Sequence, residues 1–477
     1  MHCATTGLLP FTPASGEWTA ADVQQLYRRL GYGASPAEVA DGLLLTPELL
    51  VQQLLATAAG RDLPPAPEWA TWDYDALAAT GREPFTLYLE HMQEFMLLSL
   101  EHGVREKLVL FWHNHFVVKY ESHSCPSYLF GYFRLLTTYA FGNFRDLVRE
   151  MTRAPAMLFF LNGFDNRRES PNENYARELF ELFTLGENNG YSQQDIVEAS
   201  RALTGWNQWT SYCGEVQWAP WGFDDGDKTV FGRSGNFDYA QLIDVLFEER
   251  GALIASFICR KLYRFYVNPE PDEAVVAALA RTFVDSDFEL LPVLRELFGS
   301  AHFFDPANRG VLIKSPMDLA LGLLRQGGFG TFDNHRDWSF WALTNMGQQL
   351  GEPPDVAGWP GDRSWIDSNR ISLRWELTDG FSWAVYNHDA TTLVDFARQL
   401  TGNSREPEII ARAVVDYFIP RGLPDEAAYD LAVQALKWEV PANYYENGQW
   451  SLDWTTAPWQ LVVLLQHLGR RPEFQLN

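Results

Sequence analysis

The sequence predicts an all-α protein: a large single multi-helix domain with long irregular aromatic-rich loops and at most a small β-hairpin. Three observations predict it. Helix-start grammar recurs along the chain, as in Thr19 with Asp22, Ser35 with Pro36 and Glu38, and Ser192 with Asp195, each a polar cap followed three residues later by an acid that can bond back. Apolar residues between these signals return every three or four positions, the period of a helix with one buried face. No linker-like stretch and no repeat of fixed period divides the 477 residues, so residues 19–477 read as one helical domain behind an N-terminal extension, 1–18.

The elements follow in order. "TAADVQQLYRRLGYG" is a capped helix that stops at Gly31, and "SPAEVADGLL" restarts at once. Residues 60–84 are proline-rich and read as a loop. "PFTLYLEHMQEFMLLSLEHG" is a long helix ending near Gly103, and "VREKLVLFWHNHFVV" is the next. "YLFGYFRLLTTYAFGNFRDLVREMTRAP" supplies two more, broken at Gly142-Asn143. "SPNENYARELFELFTLG" repeats the cap grammar, with Ser170 as cap, Pro171 at the first position, Glu173 closing the box and Gly186 ending the helix. Residues 206–235 lose the period and become rich in Trp, Gly and Asp. They read as a long loop with a hairpin around "DDGD", and long irregular insertions in compact domains are commonly functional. Helices resume over 238–266, 271–285, 290–300 and 315–326. A second irregular segment covers 352–370, and helices return over 391–401, 408–419, 425–438 and 456–469.

Composition narrows the function classes. Apolar residues make up 46%, enough for a large core. The net charge of −25, from 62 acids and 37 bases, disfavours nucleic acid, because affinity for phosphate backbones rests on Lys and Arg. It equally disfavours an anionic membrane surface. No run approaches the ~18–20 apolar residues that a membrane span needs. Four cysteines, Cys3, Cys125, Cys213 and Cys259, form no CxxC pair, so neither a zinc knuckle nor a disulfide scaffold is expected, though one bridge stays open. The N-terminal stretch lacks the basic and apolar regions of a secretory leader.

Several of these stretches occur together and in order in one known family. "YRRLGYG", "EKLVLFWHNHF", "NFRDLVREMTRAPAMLFFLNG", "NENYARELFELFTLG", "YSQQDIVEASRALTGW", "DGDKTVFG", "KLYRFYV", "KSPMDL" and "VAGWPGDRSWIDSNR" resemble the bacterial family filed as domain of unknown function 1800. The resemblance runs from about residue 24 to 375. It implies a mostly helical protein, usually exported to the periplasm or exterior, often encoded beside sulfatase-like proteins that are candidate partners. It implies no established reaction and no established cofactor.

The most chemically suggestive stretch is the helix "NENYARELFELFTLG". On a helical wheel Tyr175, Ala176, Leu179, Phe180, Leu182 and Phe183 share one side, and Glu173, Asn174, Arg177, Glu178 and Glu181 fill the other. A solvated polar face laced by Glu173–Arg177 and Arg177–Glu181 pairs explains this pattern. So does a site in which Glu178 and Glu181, three residues apart, share a proton or a cation, with Asn174 and Arg177 binding substrate. Such neighbours cannot flank one glycosidic bond from opposite sides, so a glycosidase would draw its second acid from Asp225 or Asp227 in the insertion.

His113 and His115 in "FWHNHF" are candidate acid–base groups, and His115 with Glu178 and Glu181 is a candidate metal set, for a divalent ion. The alternative for both histidines is a hydrogen-bonded place in the core. His91 and His102 read as structural. Trp206, Trp209, Trp218 and Trp221, with Asp225 and Lys228, are candidate substrate contacts in the insertion. "GWPGDRSW" reads as a turn packed by Trp359 and Trp365, or as the aromatic wall of a cleft.

Three functions follow as expectations. One is an envelope or extracellular enzyme acting on a polymer such as a polysaccharide, with Glu178 as acid/base. Another is a metal-dependent enzyme built on Glu178, Glu181 and a histidine. The third is a non-catalytic binding protein whose aromatic loop docks a partner.

Overall fold

The computed structural model describes residues 7–330 and 335–477. Among them 23 α-helices pack around one continuous core that runs from Val23 to Phe474, and strands are confined to two short antiparallel pairs. The cap grammar is used as written. Thr19, Ser35 and Ser192 each accept from the backbone of the residue three ahead, and the acids there bond back to the cap.

One start differs. The cap of the glutamate-rich helix is Asn172, whose side chain accepts from the Asn174 amide, and not Ser170. Asn166 accepts from the Asn172 amide at 2.8 Å and so fixes the turn before the helix. The α-helix Glu173–Glu178 then widens to a π-helix over Leu179–Thr184. The wider turn keeps Leu179, Phe180 and Phe183 all in the core.

The proline-rich stretch 60–84 holds a 3-10 turn, Glu68–Thr71, and a helix, Tyr74–Thr80, which the prolines concealed. The helix Ser368–Asp389 was equally concealed. It buries Arg374, Thr378 and Ser382 beside Leu377, Phe381 and Val385. Arg374 donates to Gln475 Oε1 and to the Lys314 carbonyl, so polar residues lie on its inward face and the apolar period is lost.

The insertion forms two hairpins. Gln208–Trp209 pairs with Val216–Gln217, and Lys228–Val230 pairs with Arg233–Gly235. The second reverses at Phe231 and Gly232, both at positive φ (53° and 85°), the conformation of a two-residue type I′ turn. The expected turn at Asp224–Asp227 therefore lies just before the hairpin. A disulfide between Cys125 and Cys213 fastens the insertion to the start of the helix Pro126–Thr138, and the Tyr128 hydroxyl donates to the Gly214 carbonyl beside it. Cys259 is a buried free thiol, and Cys3 lies outside the described residues.

Three elements position the site. The helix Val104–His115 is buried on almost every side, down to Arg105, Glu106 and Lys107. The 28-residue helix Tyr239–Tyr266 brings Lys261 and Arg264 alongside it. The loop 352–370 closes over both. The Asn114 side chain holds that loop by accepting from the Trp359 amide at 2.6 Å and donating to the Trp359 carbonyl at 3.2 Å. The approach is so close that a Cβ on Gly358 would sit 2.3 Å from Asn114 Oδ1, so this position requires glycine.

Candidate functional site

The two histidines of "FWHNHF" belong to hydrogen-bond chains that fix their tautomers. The Tyr132 hydroxyl donates to the Phe116 carbonyl at 2.7 Å, so its oxygen is left to accept from His113 Nδ1–H at 2.8 Å. His113 Nε2 then accepts from the Gly351 amide at 3.1 Å. Both nitrogens are used and burial pushes the imidazole down to about 3, so His113 is a neutral core group. His115 is the reverse tautomer. Its Nε2–H donates to the Phe183 carbonyl at 3.0 Å, and its Nδ1 accepts from Lys261 Nζ at 2.8 Å. Burial, and then the Lys261 charge, hold it well below the usual histidine range.

The histidine helix and the glutamate helix therefore meet, as expected, but through the Phe183 carbonyl and the Phe116–Phe183 ring contact. Because His115 has committed both nitrogens, it supplies no lone pair to a cation shared with Glu178 and Glu181. Among the described residues no group of three His, Cys, Asp or Glu side chains is placed to hold a metal ion.

The glutamates themselves diverge. Arg177 pairs with Glu173 at 3.3 Å and with Glu181 at 3.5 Å, and donates to Gln193. Among the described residues Glu178 makes no ion pair; burial first, then repulsion from Glu181, raise its carboxyl above the usual range, against a smaller opposing pull from Arg177. Asn174 is occupied in donating to the Leu161 carbonyl at 3.0 Å.

The insertion's candidates serve mainly each other. Trp206 packs edge-on against Trp218 and Tyr239, under the Arg153 guanidinium. Trp209 lies 4.6 Å from the Phe159 ring. Lys228 is buried over the Phe223 ring and donates to the Asp224 carbonyl and Asn236 Oδ1, a structural role in place of the expected substrate contact. Asp225 makes a long contact to Arg168 at 3.7 Å, and the Asp227 carbonyl accepts from Arg201. Trp221 is exposed. His91 is half-buried, against Trp69, Phe130 and Phe133, as expected of a structural residue, whereas His102 is exposed at the end of its helix.

The structure adds a cavity of about 480 Å³ beneath the 352–370 loop, within the usual range for small-molecule sites. Phe111, Phe265, Trp359 and Trp365 give it aromatic walls; Trp359 and Trp365 are also buried in the core, so "GWPGDRSW" is both a turn packed by its tryptophans and the wall of a cleft. Its charged lining is four cations, Arg29, Lys107, Lys261 and Arg264, against Asp318 and Asp362. Lys107 is satisfied by Asp318 at 2.8 Å and by the carbonyls of Arg28 and Gly31. Arg29 is satisfied by the carbonyls of Tyr266, Val267 and Asn308. Lys261 is different. Among the described residues its one hydrogen-bond partner is His115, and burial pushes its ammonium down to about 8. A primary amine that exchanges its proton near neutrality, oriented by a neutral imidazole and lining a cavity, can act as base, acid or nucleophile.

Sequence reasoning missed Lys261 because "CRKLYRFYV" reads as an ordinary amphipathic helix. The signal available was partial: this stretch, "FWHNHF" and "GWPGDRSW" are far apart in sequence, and only the fold brings them to one cavity.

The chain matches the model of the family described as "Protein of unknown function (DUF1800)" over residues 25–476, nearly its whole length, and it belongs to that family. No curated protein and no solved structure matches it.

Proposed function

From membership of that family, and from the geometry above, we propose that the chain is an enzyme of an oxidising, extracytoplasmic compartment. Its reaction takes place in the cavity under the 352–370 loop, with Lys261 as the proton-transferring group. The observation that carries this reading is the Lys261 Nζ–His115 Nδ1 contact of 2.8 Å at the cavity wall. Neutral His115 holds one amine hydrogen. When Lys261 gives up a proton, the remaining lone pair is available to a bound molecule, and burial keeps that free amine accessible near pH 8. The compartment follows from the Cys125–Cys213 bridge, since structural disulfides persist where thiols are not kept reduced.

The test uses the scarcity of lysine, of which the chain has six. At pH 8 an amine-acylating reagent should modify Lys261 ahead of Lys119 and Lys437, as read by peptide mass. Lys261→Met should abolish the fast phase. A Lys261 that remains unmodified after the other two have reacted would remove it from any reaction.

A second reading rests on the unequal glutamates. Glu181 is paired to Arg177, whereas burial and the Glu181 charge raise the Glu178 carboxyl, so the two glutamates sit in unequal environments of the kind from which acid/base assignments are made. It supports action on a polar polymer such as a polysaccharide at that helix face. Binding of soluble polysaccharides by the parent and by Glu178→Gln tests it; equal affinity and equal turnover of any polymer found would dismiss it.

A further inference from the structure

We infer that the cavity under the 352–370 loop is an oxyanion site: it takes a small molecule that presents a carboxylate, sulfate or phosphate group to Lys261 and Arg264, with a flat or apolar body against the aromatic walls that include Trp359. This rests on the cavity's being the functional site, and it adds the class of ligand.

Two cationic donors of the lining, Lys261 and Arg264, have hydrogens to spare. The Trp359 ring lines the same wall but is 5% exposed, and its indole N–H is buried out of a ligand's reach, without a hydrogen-bond partner among the described residues. Among the described residues the Lys261 ammonium has one hydrogen-bond partner, His115, for three donors, and it lies over the Phe257 ring at 5.4 Å. Arg264 lines the same cavity and makes no hydrogen bond or ion pair among the described residues. By contrast the other two cations, Arg29 and Lys107, are fully engaged by carbonyls and Asp318.

Charge points the same way. The chain carries −25 overall, yet the charged side chains of the lining are four cations and two acids; Lys107 and Asp318 pair with each other and Arg29 donates to Asn477 at 2.7 Å, which leaves Lys261 and Arg264. Asp362 is the remaining acid at the rim. A local excess of positive charge in a partly desolvated pocket favours an anion, and an ammonium and a guanidinium together match the several acceptor atoms of an oxyanion.

Incorporation of 5-fluorotryptophan gives one fluorine resonance per Trp, and Trp359→Phe identifies that of residue 359. The probes are sodium sulfate, inorganic phosphate and benzoate, each titrated to ~50 mM at pH 7, with benzamide as the uncharged control. At least one oxyanion should shift the Trp359 resonance saturably. Its apparent Kd should weaken about tenfold or more in Lys261→Met, the scale of a lost charge-assisted hydrogen bond. It should also weaken several-fold in Arg264→Gln, whose side chain is exposed and makes no hydrogen bond or ion pair among the described residues. Sulfate, phosphate or benzoate as the tightest probe identifies the oxyanion. No shift with any oxyanion, a shift produced equally by benzamide, or binding unchanged in both variants overturns the inference. If Lys261 still titrates near 8, only the ligand class falls; if it titrates in the ordinary lysine range, the proposed function falls with it.

Discussion

Lys261 Nζ lies 2.8 Å from His115 Nδ1, and the opposite nitrogen of the same ring donates to the Phe183 carbonyl at 3.0 Å. One imidazole thus links a cavity-lining amine to the π-helical turn of the glutamate helix. The ring acts as a positioning group, fixed in one tautomer by a backbone acceptor.

Stability should depend on the Lys261 charge in a defined direction. Its ammonium is lowered from 10.5 to about 8, so between those values the unfolded chain binds more protons than the folded one. The cost of burying the charge is therefore present in full below pH 8 and disappears as pH rises toward 10.5. Lys261→Met should be as stable as the parent, or more so, at pH 7. The parent should gain on it steadily from pH 8 to 10. Urea midpoints of the two proteins measured in parallel check this; a constant difference across that range would contradict it.

The buried histidines set the acid limit. His113 is lowered from 6.5 to about 3, and His91 and His123 are also lowered, to about 4 and about 3. A depressed base in the folded state means that the unfolded chain takes up protons first as pH falls below 6.5. Stability should then drop progressively from about pH 6.5 toward 3. His113→Gln should be less stable at pH 7, having lost its bonds to Tyr132 and Gly351, but its stability should fall less steeply in acid. Denaturant midpoints at pH 7, 5.5 and 4 are the readout.

Glu178→Gln should keep or slightly raise the melting temperature at pH 7. The raised carboxyl means that the charged form is disfavoured by burial and by Glu181. The group is only half-buried, so solvent screening keeps the gain within ~0.5 kcal/mol. A clear loss of stability would show that the Glu178 charge has a favourable partner after all.

Reduction of Cys125–Cys213 should destabilise the chain by ~2–5 kcal/mol, the range for a long closed loop, here one with a sequence separation of 88. The insertion 206–235 should become the first site of proteolysis. Cys213→Ser in the absence of reductant should reproduce both effects.

The helical architecture was legible because caps and periodicity are local. Thr19, Ser35 and Ser192 needed only their neighbours three residues on. Ser368–Asp389 was not, because its inward polar residues answer distant partners such as Gln475. The turn at Phe231-Gly232 was not, because a phenylalanine at positive φ carries no turn signal. The contact between the histidine and glutamate helices was foreseen from their ionisable content, yet the groups that meet there are an imidazole and a backbone carbonyl. Backbone acceptors leave no mark in a sequence, and neither does the His115 partner that sets Lys261 apart from the other buried lysines, Lys107, Lys228 and Lys314.

Gly358→Ala should break the site without touching its chemistry. Its φ of +85° and the 2.3 Å approach of a Cβ to Asn114 Oδ1 force the loop off the histidine helix, at a cost of ~1–3 kcal/mol of strain. The fluorine resonance of Trp359 should move in the unliganded variant, while the helical content by circular dichroism stays that of the parent.

The most direct test of the central claim is the titration of Lys261 itself. Carbon-13 reductive methylation of the six lysines, with the Lys261 signal assigned by its absence in Lys261→Met, reports each amine's protonation against pH. The account predicts a midpoint near 8 for Lys261, shifted upward when an oxyanion occupies the cavity. A midpoint in the ordinary lysine range, near 10.5 and unmoved by sulfate, phosphate or benzoate, would contradict it.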